Sequence, residues 1–487
     1  MTFGRAHAAA VGLTAIVTGR VAITGWLWAG ARDAVSTDEF LRVHQAFIWS
    51  GKPVLLPDTG WGPLYYYVYG ATLSVVPDTL WTPRVVTLLC ALACLLLLYR
   101  LCRRASGSAL VALLATAAFA CAPRALRLGA TPLAEMLCLL CLLLTVVLLE
   151  EWITTGRRRT LVLAVLMAAA AAATRYETWA LWPFLAAGLL LPRSAAGERG
   201  FRALVLAIPL AVMAVIVLHS WILRGDPLGP LTTYERHSAA TFGAVGRCHA
   251  LALLGLPVLD EVPAALPLAL ALPVLYLRRR VAPTGPVLLA AVACACSLLG
   301  LVLLARLPTQ FPDRVALNVV AFLVPLMAFT FATLVPSTRW RAILGVAVLA
   351  LLTVRGVVTA PRFPTPHPET MAAAYELRRL ARSGALGPEQ RVIAESREWE
   401  YTILYTISGQ HEHLLLDSHF LVRRPSLFLD PRLAERLPEY RAGGVRWILV
   451  RTPAFVERVR AIFPIESERE VAGYRLFRLR WPSPASG

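Results

Sequence analysis

The chain has 487 residues, of which 57% are hydrophobic and 16% charged, and its mean hydropathy is +0.61. Such a composition excludes a soluble globular protein of this length. The formal charge of +18 invites a nucleic-acid reading, but the arginines sit in short clusters between apolar runs and Lys52 is the only lysine, so no nucleic-acid partner is expected. The nine cysteines form neither a disulfide framework nor a zinc-like spacing: Cys138 and Cys141 read as small packing residues in a helix, and only Cys248 falls in a long loop.

Apolar stretches suited to a bilayer core fall at 8–31, 83–101, 108–123, 131–149, 160–174, 177–192, 202–222, 262–277, 285–306, 313–335 and 339–358, which predicts about eleven transmembrane helices. The first reads as an uncleaved span despite the cleavage-like Ala29-Gly30-Ala31, because Arg20 interrupts it and many spans follow. Alternate connections carry Arg100, Arg103 and Arg104; Arg157, Arg158 and Arg159; Arg193, Arg199 and Arg202; Arg278, Arg279 and Arg280; and Arg339 and Arg341. The positive-inside rule then places the N-terminus in the cytoplasm. Loops 32–82, 124–130, 175–176, 223–261 and 307–312 lie outside, and an odd span count puts residues 360–487 outside too.

Between the first two spans, PLYYYVYGATLSVVPDTLW (63–81) is too short and proline-bounded to span. It reads as an interfacial or re-entrant helix with tyrosines at headgroup depth. The tail changes character. TMAAAYELRRLARSG (370–384) has helical periodicity with a glycine stop at Gly384, and RVIAE, HLLLD, RWILV and YRLFRL read as strands. These predict a small α/β domain without a glycine-rich phosphate loop, suited to acceptor binding or to capping the active-site side.

Polar residues beside apolar spans are costly, so each invites a question. Asp38 and Glu39 open the helix EFLRVHQAFIW; adjacent helical residues diverge by about 100°, so they cannot share one proton site. A helix cap by Ser36, Thr37 or Asp38 is the plain alternative. Glu135 starts the fourth span, Arg175, Tyr176 and Glu177 form the turn between the fifth and sixth, and Arg314 starts the tenth. Arg84 and Arg124 could instead snorkel to headgroups, Glu135 and Glu177 could favour helix N-termini, and Arg175 with Glu177 could form a structural pair. Asp260-Glu261 before Pro263 is most simply a cap, His44 a packed interfacial residue or a substrate contact, and Arg20 must face the bundle or a wet cavity.

The order of these motifs carries a resemblance. Asp38-Glu39 after span one, Gly51-Lys52-Pro53, WGPLYYY (61–67) and Pro83-Arg84-Val85-Val86 resemble the GT-C glycosyltransferases. These membrane enzymes use polyprenyl-phosphate sugars and include protein O-mannosyltransferases and aminoarabinose–lipid A transferases. TPLAEMLCLL, ATRYETWALWP and FPDRVALNVVAFLVPL stand where that superfamily has its acidic, Arg-Tyr-Glu and arginine elements. The pattern covers roughly residues 1–335, the tail more loosely. The resemblance implies an all-α polytopic membrane protein with a transferase domain over 1–359, a first extracytoplasmic catalytic loop over 32–82, and a small extracytoplasmic α/β domain over 360–487. It implies that Asp38 acts as catalytic base or binds the acceptor and that Glu39 fills the second acidic place. Arg42 and His44 stand where the family often has an aromatic, a departure that bears on the acceptor.

The expected reaction is inverting transfer from a polyprenyl-phosphate sugar to a hydroxyl of a lipid, glycan or protein of the cell envelope, at the outer face of a bacterial-type plasma membrane. Arg84, Arg175 and Arg314 are the expected phosphate-binding residues, with His44, Tyr65, Glu135, Tyr176 and Glu177 as further cavity candidates. A divalent ion could take the place of the arginines, with oxygens from Asp38, Glu39 and Glu135. The rival readings are a secondary transporter or flippase of lipid-linked substrates, which calls for inverted repeats and broken mid-membrane helices, and a non-catalytic lipid-binding assembly protein.

Overall fold

The computed structural model describes residues 2–57, 61–190, 196–227, 229, 261–263, 271–272, 275, 285–303, 312–362, 365–418 and 425–481. Most of the expected span 262–277, most of the loops 223–261 and 307–312, and residues Arg193, Cys248, Asp260, Arg278, Arg279 and Arg280 lie outside the described residues. The helices are α1 (Thr2–Ala29), α2 (Asp38–Gly51), α3 (Leu64–Val75), α4 (Trp81–Ser106), α5 (Ala109–Ala120), α6 (Pro123–Leu128), α7 (Ala134–Thr155), α8 (Arg158–Ala172), α9 (Trp182–Leu190), α10 (Ala196–Arg224), α11 (Gly285–Leu303), α12 (Pro312–Leu334), α13 (Thr338–Thr359), α14 (Pro368–Arg382), α15 (Glu400–Ser408), α16 (Leu437–Ala442) and α17 (Pro453–Ile462). The strands are β1 (Arg391–Ala394), β2 (Leu414–Leu416), β3 (Val445–Val450), β4 (Ile465–Val471) and β5 (Tyr474–Leu479).

The chain divides into two compact units, which do not follow chain order. The first contains residues 1–33, 53–68 and 84–363; the second contains 34–52, 69–83 and 364–487.

The first unit is helical. Six helices among the described residues are long and apolar enough to cross a membrane, falling in α1, α4, α7, α10, α12 and α13, and two shorter apolar helices are Ala109–Ala120 and Gly285–Cys296. The protein is therefore a multi-pass membrane protein. Two expected spans are broken. The stretch 108–123 ends at Cys121, and α6 starts afresh at Pro123, whose missing N–H suits a first helical position. The stretch 177–192 begins as a 3₁₀ turn, Tyr176–Leu181, before α9. Arg20 explains how the first break survives in an apolar bundle. Its guanidinium donates to the carbonyls of Ala120 (3.0 Å), Ala125 (2.5 Å) and Leu126 (3.0 Å), tying the end of α5 to the short α6 through main-chain acceptors. Arg20 thus has a structural partner set of main-chain oxygens.

The second unit carries a five-stranded sheet in the order β2-β1-β3-β5-β4. β1 runs parallel to β2 and β3, while β5 pairs antiparallel with β3 and β4. Ile393 stands beside Leu415 and Ile448, and Ile448 beside Phe477. With Phe428, Val459 and Leu479 they form the core of this layer. The four strands expected in the tail form, and Gly384 follows α14 at φ +73°, a conformation that favours glycine. β4 is an addition. Its sequence IESEREV is mostly exposed and shows no apolar face, as suits an edge strand protected by charge.

Candidate functional site

In the first unit, the acidic and basic residues of three separate segments converge. Glu135, on the first turn of α7, accepts hydrogen bonds at Oε1 from Nη1 of Arg175 and from Nε of Arg314. Arg175 precedes the 3₁₀ turn and grips Glu177 with two further bonds, Nη2 to Oε1 at 2.6 Å and Nε to Oε2 at 3.3 Å. Glu135 is 2% exposed, Arg314 5% and Arg175 11%. Two guanidiniums and two carboxylates cancel, which is how such a group tolerates burial. Fork-shaped pairing also fixes the orientation of Arg175 in a way a lysine could not.

Neighbouring backbone holds this cluster in place. A side chain at Gly62 would fall 2.3 Å from the carbonyl of Ala173, so glycine lets the loop before α3 touch the end of α8. There Leu64 N donates to that same carbonyl at 3.0 Å. Tyr65, fully buried, spends its hydroxyl on the carbonyl of Pro132 at 2.8 Å, which ties α3 to the start of α7. Tyr176 packs edge-on against Trp179 with ring centres 5.2 Å apart.

Arg84 stands apart from this group. It forms a fully buried pair with Asp33 at 2.7 Å, and Thr131 donates to the carbonyl of Asp33. The carboxylate is the partner that sequence reasoning missed, because nothing in the spacing of 33 and 84 signals contact. Arg84 is therefore built into the junction between the end of α1 and the start of α4, not snorkelling. Glu261, expected as a cap beside Pro263, instead caps a helix distant in sequence. It accepts the backbone N–H of Arg124 at 3.0 Å, capping α6, and a 3.3 Å bond from the same guanidinium.

An apolar cavity of about 80 Å³, lined by Leu142, Val146, Trp182, Met213, Leu289 and Phe322 among others, lies within the same unit. Leu142 is seven residues beyond Glu135 on α7 and Phe322 eight beyond Arg314 on α12. At the helical rise these are offsets of about 10–12 Å. Charged residues and apolar cavity therefore succeed one another along the same helices.

In the second unit, the two carboxylates that open α2 have different surroundings. Glu39 is fully buried, and it turns back on the preceding residues. Its Oε1 accepts from Val35 N (2.8 Å), and its Oε2 accepts from Ser36 N (2.9 Å) and Ser36 Oγ (3.1 Å). Thr37, at the N-cap, makes no side-chain cap bond; Glu39 instead supplies the reach-back arm of a capping box to Ser36. Asp38 is half-buried at the first position of the helix. His44 lies face to face with Tyr405, ring centres 5.0 Å apart, and with His411 at 5.4 Å, a packed histidine.

Burial pushes the Glu39 carboxyl up to about 7, although its amide and hydroxyl donors pull the other way. A carboxyl raised above its unfolded value of 4.5 keeps a proton in the native state that the unfolded chain has released. This contribution is full below pH about 4.5 and is lost as pH rises through about 7. Glu39→Gln is expected to remove that decline. Thermal unfolding of the detergent-solubilised protein at pH 5 and pH 8 should bring the variant's midpoint closer to, or above, wild type at the higher pH. An identical offset at both values would refute it.

Among the described residues no group of three or more His, Cys, Asp or Glu side chains is arranged to hold a metal ion. Both oxygens of Glu39 are engaged by amide and hydroxyl donors, and Oε1 of Glu135 by two guanidiniums. These two of the three expected oxygen donors do not fit a cation site.

Comparison with known proteins adds to this geometry. The family model of dolichyl-phosphate-mannose-protein mannosyltransferases matches residues 58–221, which include Arg84, Glu135, Arg175 and Glu177. No curated protein sequence matches the chain. The crystal structure of ArnT from Cupriavidus metallidurans bound to undecaprenyl phosphate matches with TM-score 0.62 and 13% identity, over 95% of this chain and 98% of that one. Its apo form gives 0.60 and 14% over the same shares. The oligosaccharyltransferase of Archaeoglobus fulgidus, in complex with Zn and sulfate, matches at TM-score 0.50 and 13% identity over 85% of this chain, which spans 64% of that chain's length. At such identities the likeness is one of fold.

Proposed function

We propose that the chain is a membrane glycosyltransferase of the GT-C type, an inverting enzyme acting on a polyprenyl-phosphate sugar; the family match over residues 58–221 and the ArnT-like fold support this reading. The acceptor is a hydroxyl of a cell-envelope lipid, glycan or protein. The observation that carries this reading is the buried Glu135–Arg175–Arg314 cluster followed along α7 and α12 by an apolar cavity. A phosphate joined to a branched hydrocarbon has the same two parts in the same order.

In this reaction Asp38 takes the proton of the acceptor hydroxyl as its oxygen attacks the anomeric carbon. The bond from that carbon to the phosphate oxygen breaks, and its electron pair leaves with the lipid phosphate. Arg175 and Arg314 stabilise the charge that develops there. Glu135 and Glu177 hold the two guanidiniums in register and balance their charge until the phosphate arrives. Arg84, locked to Asp33, shapes the junction and is the weakest of the three phosphate candidates. Chemistry belongs at the membrane surface because the donor's tail cannot leave the bilayer.

The outer face is the proposed side. Arg84 and Glu135 open α4 and α7, whereas Arg100 pairs with Glu151 and Arg104 with Glu150 at the opposite ends of those helices. The arginine-rich ends suit the cytoplasm, and this supports an outer position for the Glu135–Arg175–Arg314 cluster. The transporter or flippase reading is not favoured, since the family match and the like folds are those of transferases. The deciding experiment incubates the purified protein with polyprenyl-phosphate sugars, mannosyl and aminoarabinosyl donors among them, and follows released polyprenyl phosphate by mass spectrometry. One donor should be consumed, with inversion at the anomeric carbon of the product. Consumption of none, or retention of configuration, would refute the proposal.

A further inference from the structure

The second unit shows how the helix that carries Asp38 is held. α2 is 14 residues long, a length at which an isolated helix is marginal. Its Phe40, His44 and Phe47 recur at helical spacing and form one stripe. That stripe lies on the α/β tail. His44 stacks on Tyr405 and His411 and meets Tyr401 edge-on at 6.0 Å, while Phe47 stacks on His411 at 4.0 Å. Burial and the neighbouring His44 push His411 down to about 3, so it serves as a neutral ring.

Thr406, on α15 and 1% exposed, is the node of a second set of ties. Its hydroxyl donates to the carbonyl of Phe40 at 3.1 Å, and its own carbonyl accepts from Thr79 at 2.8 Å. Beside it Asp78 pairs with Arg378 at 2.6 Å. Asp78 also accepts the N–H groups of Leu80 and Trp81, both at 3.0 Å. The other oxygen-bearing side chain of interest is placed elsewhere. Phe47 lies nine positions beyond Asp38, a half-turn remainder of about 180°, so Asp38 lies on the side of α2 away from that ring.

We propose that the α/β domain is a positioning device for catalysis: His411, Tyr405 and Thr406 hold α2 by its rear face and so fix the carboxylate of Asp38, a role that rests on reading Asp38 as the base. The domain thus acts on the transfer step itself, which neither acceptor binding nor simple capping requires.

The test is a double-mutant cycle in the full-length protein with Asp38→Asn, Thr406→Val and His411→Ala, and with His411→Phe as the conservative rescue. Displacing a catalytic group from a distance costs up to about 10²-fold. T406V and H411A should therefore lower kcat by about 10- to 100-fold while leaving the donor KM within about twofold, and H411F should restore kcat because it keeps a neutral flat ring. Combined with D38N, neither should lower the residual rate further, since groups that act as a unit are non-additive. Losses that multiply with D38N, a rise confined to KM, or wild-type kcat in T406V and H411A would overturn the positioning role. Full activity of D38N alone would overturn the base assignment instead, which separates the two failures. If H411A does not fold, T406V, which keeps shape and loses one hydroxyl, decides.

Discussion

Asp38→Asn is expected to reduce sugar transfer by about 10²- to 10⁴-fold, the usual worth of a positioned general base, while leaving the protein folded. The substitution keeps size and polarity at the first position of α2. Asparagine is as acceptable as aspartate near a helix start, and the residue is only half-buried, so no buried charge is stranded. The loss should fall on kcat, because a base acts on the proton in flight and not on the bound lipid. Glu39→Gln, one residue on, is the control. Glu39 spends both oxygens on Val35 and Ser36, so its replacement should change stability and its pH dependence more than rate. Steady-state transfer assays on both variants, with circular dichroism to check folding, give the comparison. A D38N protein that is folded and transfers sugar at the wild-type rate removes Asp38 from the mechanism.

Glu135→Ala is expected to be among the most damaging substitutions in the membrane unit, costing about 3–5 kcal/mol of stability. It deletes the carboxylate that Arg175 and Arg314 share and leaves two buried guanidiniums short of it. Glu177→Ala should cost less, because Glu177 is 20% exposed and water can take part of its place. The combination Glu135→Ala with Arg314→Met should recover part of the loss, since removing both partners leaves less uncompensated charge than removing one. Unfolding midpoints in a single detergent would measure this. Equal midpoints for wild type and Glu135→Ala would show that the cluster contributes nothing to holding α7, the 3₁₀ turn and α12 together.

What could be read in the sequence depended on how far apart the cooperating residues lie. Membrane spans were legible because a hydrocarbon solvent demands long apolar runs, and α1, α4, α7, α10, α12 and α13 all follow such runs. The breaks at Cys121 and Leu181 were not, although Pro123 and Pro183 mark fresh helix starts close by. At the first of them the group that meets the main-chain oxygens, Arg20, lies 100 or more positions away. β4 escaped notice because an exposed edge strand needs no apolar alternation.

The proposed site follows the same rule. Arg175 and Glu177, two residues apart, were readable as a pair. The bond from Arg314 to Glu135 spans 179 positions, and only the fold brings those helices together. Asp33 was passed over as the partner of Arg84 for the same reason, and His44 gave no hint that its neighbours would be Tyr405 and His411.

One tie described above sets a clock for biogenesis. Thr406 is 366 positions downstream of Phe40. At about 5–20 residues per second the ribosome delivers it about 20–70 s later. Through that interval the segment bearing Asp38 lacks its Thr406 and His411 contacts, and a nascent chain halted before α15 would carry its acid group on an unsupported helix. Activity should therefore switch on only once α15 has been made, not when α13 has been inserted.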